Sequence, residues 1–207
     1  DEILAQEVIK NYLSSYIGKK NLPNLLLYGP EGTGKTSTVY AISNELYGEF
    51  SSQNLTHFDA SKFFLHGKRY LESEPKFERF YDRSKSAIEV FKQIVREYSS
   101  ISPVGADFKL IFFNNAEYLS TDAQHALRRM MEKYNRSTRF IFSTTRRGKI
   151  IPAIQSRCLN LRFCPLPPHY IKKILKYISE REGISITDGG IDAIVYLSKG
   201  NADKAIN

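Results

Sequence analysis

The eight residues Gly29-Pro30-Glu31-Gly32-Thr33-Gly34-Lys35-Thr36 limit what this chain can fold into more than any other stretch. They fit G-x-x-x-x-G-K-[ST]. They follow the short apolar run Leu22 to Tyr28 and open a segment in which Val39, Ile42 and Leu46 recur at helical spacing before Gly48. Strand, glycine-rich turn and helix in that order are the context in which this motif cradles phosphate. Backbone N–H groups of such a loop wrap phosphate oxygens without side-chain obstruction, and the following helix aims its positive end at the same anion. The pattern assigns Gly29, Pro30, Glu31, Gly32, Thr33, Gly34, Lys35, Thr36 and Ser37 to nucleotide binding. Lys35 is expected to neutralise the β- and γ-phosphates, and Thr36 to offer its hydroxyl to Mg²⁺. ATP and Mg²⁺ are therefore the expected cofactors. A plain strand-to-helix turn would not need Lys and Thr at these two positions.

The apolar run before the loop suits a strand buried on both faces of a parallel sheet. Two further buried strands are expected from Phe108 to Phe113 and from Arg139 to Ser143. Between them a helix is expected from about Asp122 to Tyr134, with the stripe Ala123, Ala126, Leu127, Met130 and Tyr134. Thr121 and Gln124 form its expected capping box. A helix from about Ser86 to Tyr98 buries Ala87, Phe91, Ile94, Val95 and Tyr98 and turns Lys92 and Arg96 the other way. Leu159, Leu161 and Phe163 alternate with polar residues as in a half-buried strand. Strands alternating with helices predict an α/β fold, a parallel sheet flanked by helices. Residues 66–83 are polar and aromatic-rich and read as an insertion or long loop.

Pro165, Leu166, Pro167 and Pro168 interrupt both periodicities, since proline continues neither helix nor strand. They divide an expected domain 1–164 from a small helical lid domain, 165–207. Ile171, Ile174, Leu175 and Ile178 lead to Gly183, and Ile191, Ile194 and Val195 lead to Gly200; a third helix is expected to be cut short at Asn207. With 42% hydrophobic and 25% charged residues, and no apolar run near the ~20 residues of a membrane span, the composition is that of a globular protein with no membrane partner. The first ten residues show no signal-peptide pattern. A net charge of +8 suits a polyanionic partner or simply a solvated basic surface. Two cysteines, Cys158 and Cys164, and four scattered histidines suggest a reducing, intracellular setting and no structural metal.

A P-loop hydrolase needs acidic residues at the end of a neighbouring strand. Here the strand Lys109 to Phe113 runs into Asn114-Asn115-Ala116-Glu117. At this point the chain resembles the small subunits of replication factor C, a sliding-clamp loader of the AAA+ class, which carry Asp-Glu-Ala-Asp there. The resemblance continues through Thr121-Asp122-Ala123-Gln124-His125-Ala126-Leu127-Arg128-Arg129, through Met131-Glu132-Lys133-Tyr134, and from Lys149-Ile150-Ile151 to Ile154-Gln155-Ser156-Arg157-Cys158. It covers the whole chain and is weakest between His66 and Arg83.

The resemblance implies an AAA+ module in a hetero-oligomeric ring with other clamp-loader subunits, a sliding clamp and primer-template DNA as partners. The setting would be cytoplasmic in a prokaryote and nuclear in a eukaryote. By the same resemblance Arg157 is the arginine finger reaching a neighbour's γ-phosphate, a role suited to a permanently charged, planar group. Without the family it reads as an exposed arginine at a strand end. Thr145 takes the place of the polar sensor, and Asp203 that of the second-sensor arginine, where a negative charge repels a γ-phosphate; Lys204 should point about 100° away around the helix. Asn114 stands where the family has a carboxylate ligand of Mg²⁺. Asn115 stands at the catalytic glutamate, where removing a general base typically costs ~10²–10⁴ in rate. Glu117 is a candidate substitute base. Lys92 and Ser61 align with residues that approach DNA, the alternative for Lys92 being a solvated helix face. Three readings follow: an ATP-binding clamp-loader subunit with impaired hydrolysis at its own site, a non-hydrolysing structural subunit that donates Arg157, and another AAA+ ATPase.

Overall fold

The computed structural model describes residues 6–66, 69–73, 75, 77–80, 82 and 84–207. Asp1 to Ala5 of the expected first domain lie outside the described residues. So do Gly67, Lys68, Glu74, Lys76, Tyr81 and Arg83 of the expected insertion, and the side chains of His66, Glu72 and Ser73.

A first helix, α1 (Glu7–Gly18), precedes strand β1 (Leu25–Tyr28), which the phosphate loop joins to α2 (Lys35–Tyr47). A short helix α3 (Ser51–Asn54) leads into β2 (Leu55–Asp59), followed by α4 (Ala60–His66), α5 (Arg69–Ser73) and α6 (Ala87–Ser100). Then come β3 (Lys109–Asn114), α7 (Thr121–Lys133), β4 (Thr138–Thr144), the single turn α8 (Pro152–Gln155) and β5 (Leu159–Arg162). Helices α9 (Pro168–Glu182), α10 (Asp188–Ser198) and α11 (Ala202–Ile206) end the chain.

The five strands form one parallel sheet in the order β2-β3-β4-β1-β5. Strand alternation splits its side chains between two cores. Ile111, Phe113, Phe140 and Phe142 enter one cluster, while Leu110, Phe112 and Ile141 enter the other with Val39 and Ile42 of α2. This double burial is what continuous apolar runs such as Leu110 to Phe113 provide. The first cluster is rich in aromatic rings: Phe58 meets Phe91 edge-on with centroids 5.3 Å apart, and Phe113 stacks on Phe142 at 5.4 Å. The helices α9 to α11 share a third cluster around Leu166, Ile171, Leu175 and Ile191.

Three expectations need correction. Residues 66–83 are not a plain loop: α5 and a 3-10 turn at Glu78–Phe80 bury Tyr70, Leu71, Phe77 and Phe80 against the aromatic cluster. The cap of α7 is Ser120, whose hydroxyl accepts from the N–H of Ala123, and not Thr121. Gln124 is buried instead of capping, donating to the carbonyls of Leu119 and Lys149 and accepting from the N–H of Ile151, and it ties the β4–α8 connection to α7. The helix bearing Lys92 does carry a capping box, formed by Ser86 and Glu89.

Candidate nucleotide site

In a parallel sheet all strand C-termini lie at one edge, where open α/β sheets bind their ligands. The phosphate loop leaves β1 at that edge. Gly29 is there because a Cβ would stand 2.2 Å from the carbonyl oxygen of Phe163, and Gly32 because its φ of +64° and the side chain of Asn201 leave no room for one. Thr33 donates to the carbonyl of Pro30 at 2.8 Å. The ammonium of Lys35 donates to the carbonyls of Gly29, at 2.9 Å, and Pro30. Burial lowers the pKa of Lys35, and Glu117, Glu31 and Asp203 partly offset that shift. Thr36 lies beside it, so the loop side chains assigned from sequence converge.

Asn114 ends β3 in register with Asp59 of β2. Asn115 follows in the left-handed region, φ +53°, a conformation that asparagine tolerates better than most residues. Its amide donates to both carboxylate oxygens of Asp59, at 3.5 and 3.4 Å, and to the hydroxyl of Ser61 at 3.3 Å. Asp59 also accepts from the Ser61 hydroxyl at 2.6 Å and the Lys62 N–H. Burial raises the Asp59 pKa, but the bonds from Ser61, Lys62 and Asn115 outweigh it and leave the carboxyl below its ordinary value. Ser61 therefore sits next to the strand tips with its hydroxyl engaged.

Thr145, past the end of β4, donates its hydroxyl to Glu117 at 2.5 Å and its N–H to the same oxygen at 3.2 Å. The pKa of Glu117 is raised by burial and more strongly lowered by these bonds, which hold it ionised. These elements enclose a cavity of about 190 Å³ lined by residues 31–37, Asn114, Asn115, residues 143–145 and Asp203. A neighbouring cavity of about 300 Å³ is lined by Pro30, Glu31, Thr145, Lys199, Asn201 and Lys204. Asp203 and Lys204 thus face different cavities, as their helical spacing requires. The N–H of Ala202 donates to the carbonyl of Gly32 at 2.9 Å, so α11 is joined directly to the phosphate loop.

The loop fits a nucleotide: no described atom lies within 4 Å of where a Cβ of Gly34 would stand, and Lys35 and Thr36 follow it along the same cavity. For Mg²⁺ the donors on the strand side are neutral, the Thr36 hydroxyl and the Asn114 amide oxygen, and hard divalent cations prefer carboxylates.

Arg157 lies elsewhere. It follows α8 and precedes β5, and its carbonyl accepts from the side chain of Asn24, just before β1. It is therefore at the N-terminal edge of the sheet, with the length of β1 between it and Lys35. The guanidinium donates through Nε and Nη2 to Glu132 Oε1 at 3.1 and 2.7 Å, and through Nη1 to the carbonyl of Ala153. Cys158 beside it packs against the aromatic core, and burial pushes its thiol up to about 12. Lys92 and Arg96 line a third space, a groove of about 490 Å³ between α6 and α7, with His125, Arg129 and Lys133 opposite. This groove is wider than the loop cavity, but no glycine-rich backbone faces it, and phosphate cradling belongs to the smaller space.

Sequence reasoning overlooked Asp59 as a partner of Asn115. The run LTHFD, with Thr and Phe at strand-compatible positions, was the available signal. It also overlooked Glu132 as the holder of Arg157.

A sequence family described as ATPase family associated with various cellular activities (AAA) matches residues 25–166. The replication factor C small subunit of Archaeoglobus fulgidus is 39% identical over 208 residues, covering 100% of this chain and 58% of that protein. A replication factor C small subunit of Methanococcus maripaludis is 40% identical over 207 residues, covering 100% of this chain and 59% of its own length. The chain thus spans less than two thirds of these relatives. Among solved structures, the Thermotoga maritima RuvB Holliday junction branch migration motor superposes with a TM-score of 0.72 at 20% identity, covering 100% of this chain and 61% of the motor. The Aeropyrum pernix ORC1 protein in complex with DNA does so with 0.73 at 19%, covering 100% and 59%. At these identities the likeness is one of fold.

Proposed function

This chain belongs to the AAA family of ATPases, and from that premise we propose that it is a small subunit of a sliding-clamp loader. In this reading it stands in a hetero-oligomeric ring with other loader subunits and helps place a sliding clamp on primer-template DNA during replication. The observation that carries the reading is the 39% identity to a replication factor C small subunit across the whole chain. Residues 1–164 form the ATP-binding domain and residues 165–207 the helical lid. The setting is intracellular, cytoplasmic in a prokaryote or nuclear in a eukaryote; among the described residues no helix is long and apolar enough to cross a membrane.

ATP is held by the loop from Gly29 to Ser37, with Lys35 drawing phosphate charge. Mg²⁺ would be held by the Thr36 hydroxyl and the Asn114 amide oxygen, a weaker set than carboxylates, and would supply further positive charge to the phosphates. Hydrolysis at this site is impaired, because Asn115 has no carboxylate and its amide is engaged by Asp59. Thr145, held by Glu117, orients a phosphate or a water. Arg157 acts on a neighbour's nucleotide; its place at the opposite edge of the sheet from Lys35 supports action in trans. Lys92 contacts DNA phosphates, helped by the basic groove around it, and Ser61 approaches the same duplex.

The more restricted version, a non-hydrolysing structural subunit that donates Arg157, is favoured by the neutral Asn114-Asn115 pair and by Asp203 in the phosphate cavity. The test mixes the chain with the remaining subunits of a clamp loader, the clamp and primed DNA, and measures assembly and ATPase. Co-assembly with clamp- and DNA-stimulated turnover is expected. A chain that enters no ring and leaves that turnover unchanged would refute the reading.

A further inference from the structure

A nucleotide in a phosphate loop needs the backbone cradle for its inner phosphates. The third phosphate projects beyond the lysine, toward the strand tips and whatever covers them. In this chain the cavity that holds the loop is lined beyond it by the strand-tip residues Asn114, Asn115 and Thr145 and by Asp203 of α11. Among the described residues that line the cavity, Lys35 is the one cation, and Glu31 and Asp203 are carboxylates. Glu117 adds a third negative group acting on the same ammonium. An inner diphosphate keeps the loop N–H groups, the α2 N-terminus and Lys35. An outer phosphate gains neutral amides and a hydroxyl, and meets Asp203.

Asp203 cannot easily turn away. Asn201 caps α11 by accepting from the N–H of Lys204 at 3.0 Å, and the N–H of Ala202 is bonded to Gly32. Rotating the helix to bring Lys204 into the phosphate cavity would break both bonds, so Lys204 stays beside the neighbouring cavity.

We infer, resting on the reading of this cavity as the nucleotide site, that Asp203 makes it a nucleoside diphosphate site, one that retains ADP more tightly than ATP.

Titration calorimetry of the chain with ADP and with ATP, Mg²⁺ present in both, tests this. ADP is expected to bind about tenfold or more tightly than ATP, the scale of one like-charge contact in a partly solvated cleft. Asp203→Asn, of nearly the same shape, should tighten ATP by a similar factor and leave ADP within about twofold. Equal or tighter binding of ATP by the unmodified chain overturns the inference and leaves the nucleotide site standing. Weaker ATP binding by Asp203→Asn also overturns it, since the carboxylate would then be recruiting Mg²⁺. Binding of neither nucleotide overturns the reading of the cavity itself, and the inference with it.

Discussion

The side-chain amide of Asn115 lies 3.4 Å from a carboxylate oxygen of Asp59 and donates to it across the tips of two adjacent parallel strands. A carboxylate at position 115 would face another carboxylate at the same distance, and one of the two would have to take up a proton. We predict that Asn115→Glu alone restores less than about tenfold in single-turnover hydrolysis. Asp59→Asn combined with Asn115→Glu should restore about 10² or more, the low end of what a general base contributes. Equal rates for the single and double variants would show that Asp59 does not control the residue opposite it.

For Arg157 the prediction separates catalysis in trans from local stability. Arg157→Ala in the assembled ring should reduce clamp- and DNA-stimulated ATPase by ~10³–10⁵ at the neighbouring site, the range for arginine fingers. Nucleotide affinity of this chain alone should not change. The lost ion pair with Glu132 is substantially exposed, so its removal should cost less than about 1 kcal/mol in urea denaturation. Undiminished ATPase in a fully assembled mutant ring would make Arg157 structural.

The groove between α6 and α7 predicts a salt signature. If Lys92 neutralises one DNA phosphate, Lys92→Ala should reduce the slope of log affinity against log salt by about one unit, with no change in sequence preference. Fluorescence anisotropy with primed duplexes of two unrelated sequences measures both. An unchanged slope would assign Lys92 to a solvated helix face.

Lys109, at the start of β3, offers a test of buried charge. It is only 4% exposed, and burial lowers its pKa from 10.5 to about 8. Below pH 8 the lysine is charged in the folded and unfolded states alike, and the cost of burying that charge is present in full. Between about pH 8 and 10.5 the unfolded chain holds the proton that the folded chain has lost, so this group's effect on stability becomes less unfavourable as pH rises. Lys109→Met should therefore raise stability near pH 7 by about 1–3 kcal/mol, and the gain should shrink toward pH 10. Urea denaturation at a series of pH values checks the sign; a gain that grows with pH would contradict it.

Much of the architecture could be read in advance because its signals are local. The loop at Gly29 to Thr36, the apolar runs of β1, β3 and β4, and the stripes of α6 and α7 each lie within a few consecutive turns or pleats. What escaped is relational. Asn115 and Asp59 are 56 residues apart, and Arg157 and Glu132 are 25 apart, so nothing in either neighbourhood marks the pairing. β2 was overlooked because His57 and Asp59 break its apolar character, although its outer face is only half-buried. At α7 two adjacent capping residues, Ser120 and Thr121, compete for one helix start, and the geometry selects Ser120. Gln124, three residues after Thr121, looks like the other half of a capping box, yet it is consumed by the nearby carbonyl of Leu119 and by two main-chain groups of the distant segment around Lys149 and Ile151.

The bond between the Ala202 N–H and the Gly32 carbonyl joins α11 to the phosphate loop. In the proposed nucleotide site a cover attached in this way loses that bond whenever it swings aside, so uncovering the site and loosening the loop are coupled. On that reading the residence of a bound nucleotide depends in part on how readily α11 parts from the loop, so the shape of the site contributes to its pace beside any chemical step.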